Sequence, residues 1–313
     1  MTTLLDVHAN GVYVIAITPF TDAGAIDTVS VDRMVEFYRA SGATGITVLG
    51  LMGEAPKLTH EESVAVTAQV VRRAQLPVVV GVSASGFAPM AALSKASMDA
   101  GAAGVMIAPT PTLKTDDQIV AYYANVVEAI GGEVPFVIQD YPYSTGVVMT
   151  PAVIRRIVEQ NPSCVMLKHE DWPGLDKITA LRRFTAEGSM RRISILCGNG
   201  GLFLPHEIER GADGAMTGYA FPEMLSELHR LLTTGQRAAA HDLFDRHLPL
   251  LRYEVQPGIG LAVRKYVLKR RGVIVSDAQR KPAVKLSPES VAEVEWLLAR
   301  LSAGTSHTVP WAA

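Results

Sequence analysis

The chain has 313 residues, enough for one large domain, and nearly half of them are hydrophobic, so an extensive core can be buried. A formal net charge of −2, with no long basic run, excludes the Lys/Arg-rich face that nucleic acid demands. The only two cysteines, Cys164 and Cys197, lie in separate apolar runs without ligand-like spacing, which predicts a reduced, cytoplasmic protein with no structural zinc.

From the N-terminus, MTTLLDVHANG lacks a basic region followed by a long apolar stretch, so no signal peptide is expected. No window approaches the ~20 apolar residues of a membrane span, and no membrane partner is expected. Apolar runs then recur regularly, predicting strands at 12–18, 46–49, 78–81, 105–108, 134–139, 164–167, 193–197 and 212–216. They are short and alternate little, the mark of parallel strands buried on both faces. Helical periodicity fills the gaps, as at 61–74, 89–100 and 151–159, with Pro151 suited to a first turn.

A repeat links these elements. Gly42-Ala43-Thr44-Gly45, Gly101-Ala102-Ala103-Gly104 and Gly211-Ala212-Asp213-Gly214 each follow a helical stretch and precede an apolar run. Glycine can end a helix in the left-handed conformation, after which the chain enters a strand. The copies are two and four units apart if one unit is about 28 residues, a plausible strand–helix length. Eight units over residues 1–234 close a (β/α)8 TIM barrel. An open doubly wound sheet is the alternative, but no Gly-x-Gly-x-x-Gly turn follows the first strand. Beyond residue 235 the pattern gives three helices without strands, at 238–251, 259–269 and 288–301. This C-terminal three-helix extension, 235–313, ends in a tail at 302–313 expected to fray.

In such barrels chemistry sits at the C-terminal ends of the strands. Polar residues gather there: Gly50-Leu51-Met52-Gly53-Glu54, Gln139-Asp140-Tyr141-Pro142, Lys168-His169-Glu170, Gly198-Asn199 and Thr217-Gly218. Lys168 ends an otherwise apolar run. It either leaves the barrel for solvent or stands at the mouth, where apolar walls would lower its pKa and free it to attack a carbonyl. The turn at 50–54 is either a simple strand-to-helix connection or a row of N–H groups able to hold a carboxylate. Glu54 is expected to be structural, accepting hydrogen bonds from backbone or hydroxyl groups.

In their order, Gly11 through Thr18-Pro19-Phe20, the turn 50–54, Pro142 with Thr145-Gly146, Lys168 and Gly214-Ala215-Met216 resemble the dihydrodipicolinate synthase/N-acetylneuraminate lyase family of class I aldolases. The resemblance covers nearly the whole chain. It implies that Lys168 forms a Schiff base with a 2-oxo acid, whose carboxylate rests on the backbone of Leu51 and Met52 beside Gly53. It also implies no metal or organic cofactor, and a homotetramer. The chain departs from the usual pattern in four places. Leu51-Met52 replaces Thr-Thr, Gln139 replaces the proton-shuttling tyrosine, Pro109-Thr110-Pro111-Thr112 lacks the second tyrosine, and Ser144 aligns with an arginine. Gln cannot shuttle a proton as phenol can.

Gln139-Asp140-x-Pro142, Lys168-x-Glu170, Gly214 to Gly218 and Leu248-Pro249-Leu250 resemble the 2-keto-3-deoxy-L-arabonate dehydratase branch. Alternation on an extended strand puts Lys168 and Glu170 on one face and His169 on the other. Glu170 could then move the C3 proton to the leaving hydroxyl, or serve only as an ion-pair partner or helix-terminal acid. Gln139 would orient a hydroxyl or water. Asp140, Gly198, Met216 and Thr217 complete the candidate substrate contacts. Tyr141 could be core or interface, and His169, His206 and Cys197 are expected to be structural. The leading expectation is dehydration of a 2-keto-3-deoxy sugar acid. The rivals are retro-aldol cleavage or condensation within the same family, 4-hydroxy-tetrahydrodipicolinate synthesis included, and a non-catalytic 2-oxo acid-binding protein.

Overall fold

Runs such as Val78–Gly81 and Phe136–Asp140 are buried along their whole length, so other elements must cover both faces. A barrel wrapped in helices does this. The computed structural model describes residues 3–303. Its strands are β1 Gly11–Ile15, β2 Gly45–Val48, β3 Val78–Gly81, β4 Gly104–Ile107, β5 Phe136–Asp140, β6 Cys164–His169, β7 Ser194–Cys197 and β8 Gly214–Thr217. They pair in parallel and in chain order, and β8 returns to β1 to close the barrel.

The helices between them are α1 Thr28–Ala40, α2 His60–Ala74, α3 Phe87–Asp99, α4 Asp116–Ile130, the short α5 Pro142–Thr145, α6 Pro151–Gln160, α7 Leu175–Ala186, α8 Leu204–Glu209 and α9 Pro222–Thr233. Then α10 Arg237–Glu254, α11 Gly260–Arg270 and α12 Pro288–Ala303 follow without strands. Helix α12 runs through Ser302 and Ala303, which were expected in the tail, because Leu298 and Leu301 still pack on the core. The rest of that expected tail lies outside the described residues. Among the described residues no helix is long and apolar enough to cross a membrane.

All eight predicted strands exist, seven of them with shifted ends. The first run, expected to extend to Thr18, leaves the ladder at Ile15, although Ala16, Ile17 and Thr18 remain buried. Burial continues past the hydrogen-bonded part of the strand, and apolarity alone cannot mark where pairing stops. The repeat has two steric causes. Gly211 has a φ of +99°, as a helix-ending glycine should. Gly214 lies at the β1–β8 seam, where a Cβ would stand 1.9 Å from the carbonyl oxygen of Gly11.

Two cores result. A large one fills the layer between sheet and helices. A smaller one, including Tyr13, Ile15, Val79, Met106, Val137, Met166, Leu196 and Met216, plugs the barrel interior. Met166 is thus an inward residue of β6, and the next inward position is Lys168.

Candidate active site

Alternation along β6 turns Leu167 outward, into the layer facing the helices, and leaves Lys168 over the interior plug. The residue is 5% exposed. Its Nζ lies 2.8 Å from Oε2 of Glu170, two residues on. Gln139 is the register partner of Lys168 on β5, and its Nε2 donates to the same oxygen at 2.9 Å. Three side chains therefore meet at one carboxylate oxygen. The main chain of Glu170 is also fixed: its N–H donates to Asp140 O at 2.9 Å, and its carbonyl accepts from Asn199 Nδ2 at 3.0 Å. Gly198 makes room for the carboxylate, since a Cβ there would stand 2.4 Å from both Cγ and Oε1 of Glu170.

The cavity above has two lobes of about 110 Å³ each, both walled by Leu51, Gln139 and Tyr141. Lys168 and Glu170 stand in one, with Met52, Asn199, Thr217, Gly218 and Arg264. The other is lined by Gly50, Ser83, Met106, Ser144 and Thr145 among others. Leu51 to Gly53 form a 3₁₀ turn, whose opening N–H groups have no acceptor within it. Thr18 Oγ1 pins the turn by donating to Gly53 O at 2.6 Å. Glu54 follows in the left-handed region at φ 56° and is buried. Its carboxylate accepts from Lys265 Nζ at 2.6 Å, from Lys57 Nζ at 2.9 Å and from the Arg280 N–H at 3.1 Å. Lys265 belongs to α11 and also donates to Thr18 O at 2.9 Å. Glu54 is thus structural and has a backbone N–H among its partners, as expected, with two lysines in addition.

Four candidate contacts are placed away from the cavity wall. Asp140 points into the helix layer because its neighbour Gln139 points inward. It is fully buried, 2.8 Å from Lys177 Nζ of α7, with His169 Nδ1 at 3.6 Å. This corrects the expectation of a substrate contact at Asp140. Met216 is part of the barrel plug, so it supports the site without lining it. Gly53 and Gly198 act through Thr18 and Glu170 respectively. The structure brings together Lys168, Glu170, Gln139, Leu51, Met52 and Thr217.

Arg264, from α11, was not anticipated, and Tyr141 faces both lobes where core or interface was expected. Burial pushes the Tyr141 phenol up to about 12, with the Glu170 charge adding to it. Its position after the Gln139-Asp140 pair was a usable signal. Arg264 offered none. Behind β7, burial pushes the Glu207 carboxyl up to about 8, against a hydrogen bond from Cys197. Far from Lys168 in the sequence, His206, Glu209 and His241 bring possible metal-ligand atoms within 4.8 Å of one another. Arg237 Nε already holds Glu209 at 2.6 Å, which makes this a surface ion-pair cluster.

A buried lysine paired with a carboxylate at the C-terminal mouth of a (β/α)8 barrel defines a lyase of the class I aldolase type. Comparison with known proteins agrees. The chain matches the model of the dihydrodipicolinate synthetase family over residues 8–301 and belongs to that family. It is 27% identical over 297 residues to an L-2-keto-3-deoxyarabonate dehydratase from Azospirillum brasilense, covering 93% of this chain and 94% of that one. It is 28% identical over 288 residues to a 4-hydroxy-tetrahydrodipicolinate synthase from Chlorobium chlorochromatii, covering 90% and 94%. Among solved structures, a dihydrodipicolinate synthase from Rhodopseudomonas palustris superposes with a TM-score of 0.95 at 59% identity, over 96% of this chain and all of that one.

Proposed function

We propose that the protein is a Schiff-base lyase that dehydrates a 2-keto-3-deoxy sugar acid. The observation that carries this reading is the carboxylate 2.8 Å from the lysine, with glutamine on the same oxygen and no phenol at that strand position. Lys168 attacks the keto carbon of the 2-oxo acid, and water leaves to give a protonated imine. The substrate carboxylate rests on the N–H groups of Leu51 and Met52. Glu170 takes a C3 proton, and the electron pair moves into the C2–C3 bond of an enamine. The enamine expels the C4 hydroxyl, which leaves as water with the proton from Glu170. A second water hydrolyses the unsaturated imine and frees Lys168. Two waters leave and one is consumed, so one is lost overall. Gln139 holds the Glu170 carboxylate in line, and no step requires a metal or organic cofactor. The assembly proposed with it is a homotetramer.

The name of the Rhodopseudomonas structure supports a second reading, in which the same imine serves aldol chemistry on pyruvate. Borohydride treatment with pyruvate, followed by intact mass, tests what the two share: the adduct forms and is lost in Lys168→Ala. Incubation with a 2-keto-3-deoxy pentonate separates them, because dehydration releases no pyruvate. Glu170→Gln is expected to keep the adduct and lose dehydration by about 10²- to 10⁴-fold. Pyruvate release, or full activity in Glu170→Gln, would refute the dehydratase reading.

A further inference from the structure

Arg264 is a cation of α11 that is 3% exposed and forms part of the lobe containing Lys168. Two of its three nitrogens are committed. Nε donates to Glu254 Oε1 at 2.6 Å, and Nη2 donates to the carbonyl of Gly218. The other oxygen of Glu254, Oε2, is turned to the Ala220 N–H, from which it accepts at 3.1 Å. Nη1 is buried and has no hydrogen-bond partner among the described residues. Its location is built in: a Cβ on Gly218 would stand 2.0 Å from Nη1, so the guanidinium occupies the space that a side chain there would fill. Gly218 itself lines the lobe, together with Thr217, Leu51 and Met52.

A buried guanidinium N–H without an acceptor is costly, and the fold retains this one in a fixed orientation. The two anchored nitrogens remove the rotamer freedom that a flexible donor would lose on binding. We propose that Arg264 is a specificity-determining residue whose Nη1 donates to an oxygen carried on the substrate chain beyond the imine carbon. The lobe then selects an oxygenated 2-oxo acid over pyruvate itself. This rests on the imine assignment to Lys168 and adds the side chain that reads the rest of the molecule. Glu254 neutralises the cation, so the acceptor need not be an anion, and a chain hydroxyl satisfies it. A site built around such a donor rejects analogues that lack the acceptor, because the donor is then left unpaired.

Arg264→Lys tests this while keeping a positive charge against Glu254. The readouts are the pyruvate concentration that half-saturates borohydride trapping on Lys168, and kcat/KM for dehydration of a 2-keto-3-deoxy pentonate. The expected result is a fall of about 10- to 100-fold in kcat/KM for the pentonate, with pyruvate trapping within about threefold of the parent. Should Arg264→Lys fold poorly, the paired change Arg264→Gln with Glu254→Gln replaces the ion pair by amides and is read the same way. Pentonate kinetics within threefold of the parent, or equal losses on both substrates, would overturn the inference and leave the imine assignment standing. A parent protein that traps no 2-oxo acid would overturn both.

Discussion

Glu207 provides a test of the structure that needs no substrate. It lies on α8 behind β7, is 5% exposed, and its Oε2 has no hydrogen-bond partner among the described residues. Burial is the main reason its carboxyl is pushed from 4.5 to about 8, with the charge of Glu170 acting in the same direction. The unfolded chain releases this proton near 4.5, whereas the folded protein keeps it to about 8. The folded state is therefore the better proton binder across that window. Its contribution to stability is fully present below 4.5 and declines as pH rises towards 8, by about 5 kcal/mol over the whole interval. Glu207→Gln keeps the shape and removes the titration. Urea unfolding of both proteins at pH 5, 6.5 and 8, at one protein concentration, gives the difference directly. His247, held down to about 4 chiefly by burial, acts in the opposite sense between 4 and 6.5 and cancels because both proteins contain it. Relative to the parent, the variant should gain at least about 2 kcal/mol between pH 5 and pH 8. A difference that stays flat within about 0.5 kcal/mol would refute a neutral acid at this position.

Gly198→Ala puts a methyl where the Glu170 carboxylate now packs. A displacement of that kind should lower kcat for dehydration by about 100-fold, while borohydride trapping shows that Lys168 still forms its imine; unchanged kcat would contradict the packing described. Lys177→Met leaves the buried Asp140 without its ammonium partner and should cost about 3–5 kcal/mol in chemical denaturation. A loss below 1 kcal/mol would argue against that pairing.

The barrel was legible because its strands are short, apolar and separated by helices, several of which are followed by a glycine with positive φ. The Lys168–Glu170 pair was legible for a different reason: period-two alternation is a property of the extended chain itself. The same rule sends Asp140 outward once Gln139 faces in, and the error there came from reading a polar cluster as one surface. Met216 was misplaced because the barrel interior, unlike a binding groove, is filled by inward residues right up to the mouth. Arg264 could not have been found from the sequence. Its meaning depends on a missing side chain at Gly218 and a carboxylate at Glu254, and only tertiary packing brings these together.

The anchoring of Glu54 by Lys265 gives the order of synthesis a part in enzyme assembly. A chain emerging from the ribosome has all eight strands available before α11 is made. Until then Glu54, which follows the turn at Leu51–Gly53, lacks the nearer of its two lysines. Arg264 comes from the same helix, so the two buried cations that α11 contributes are made only after every strand.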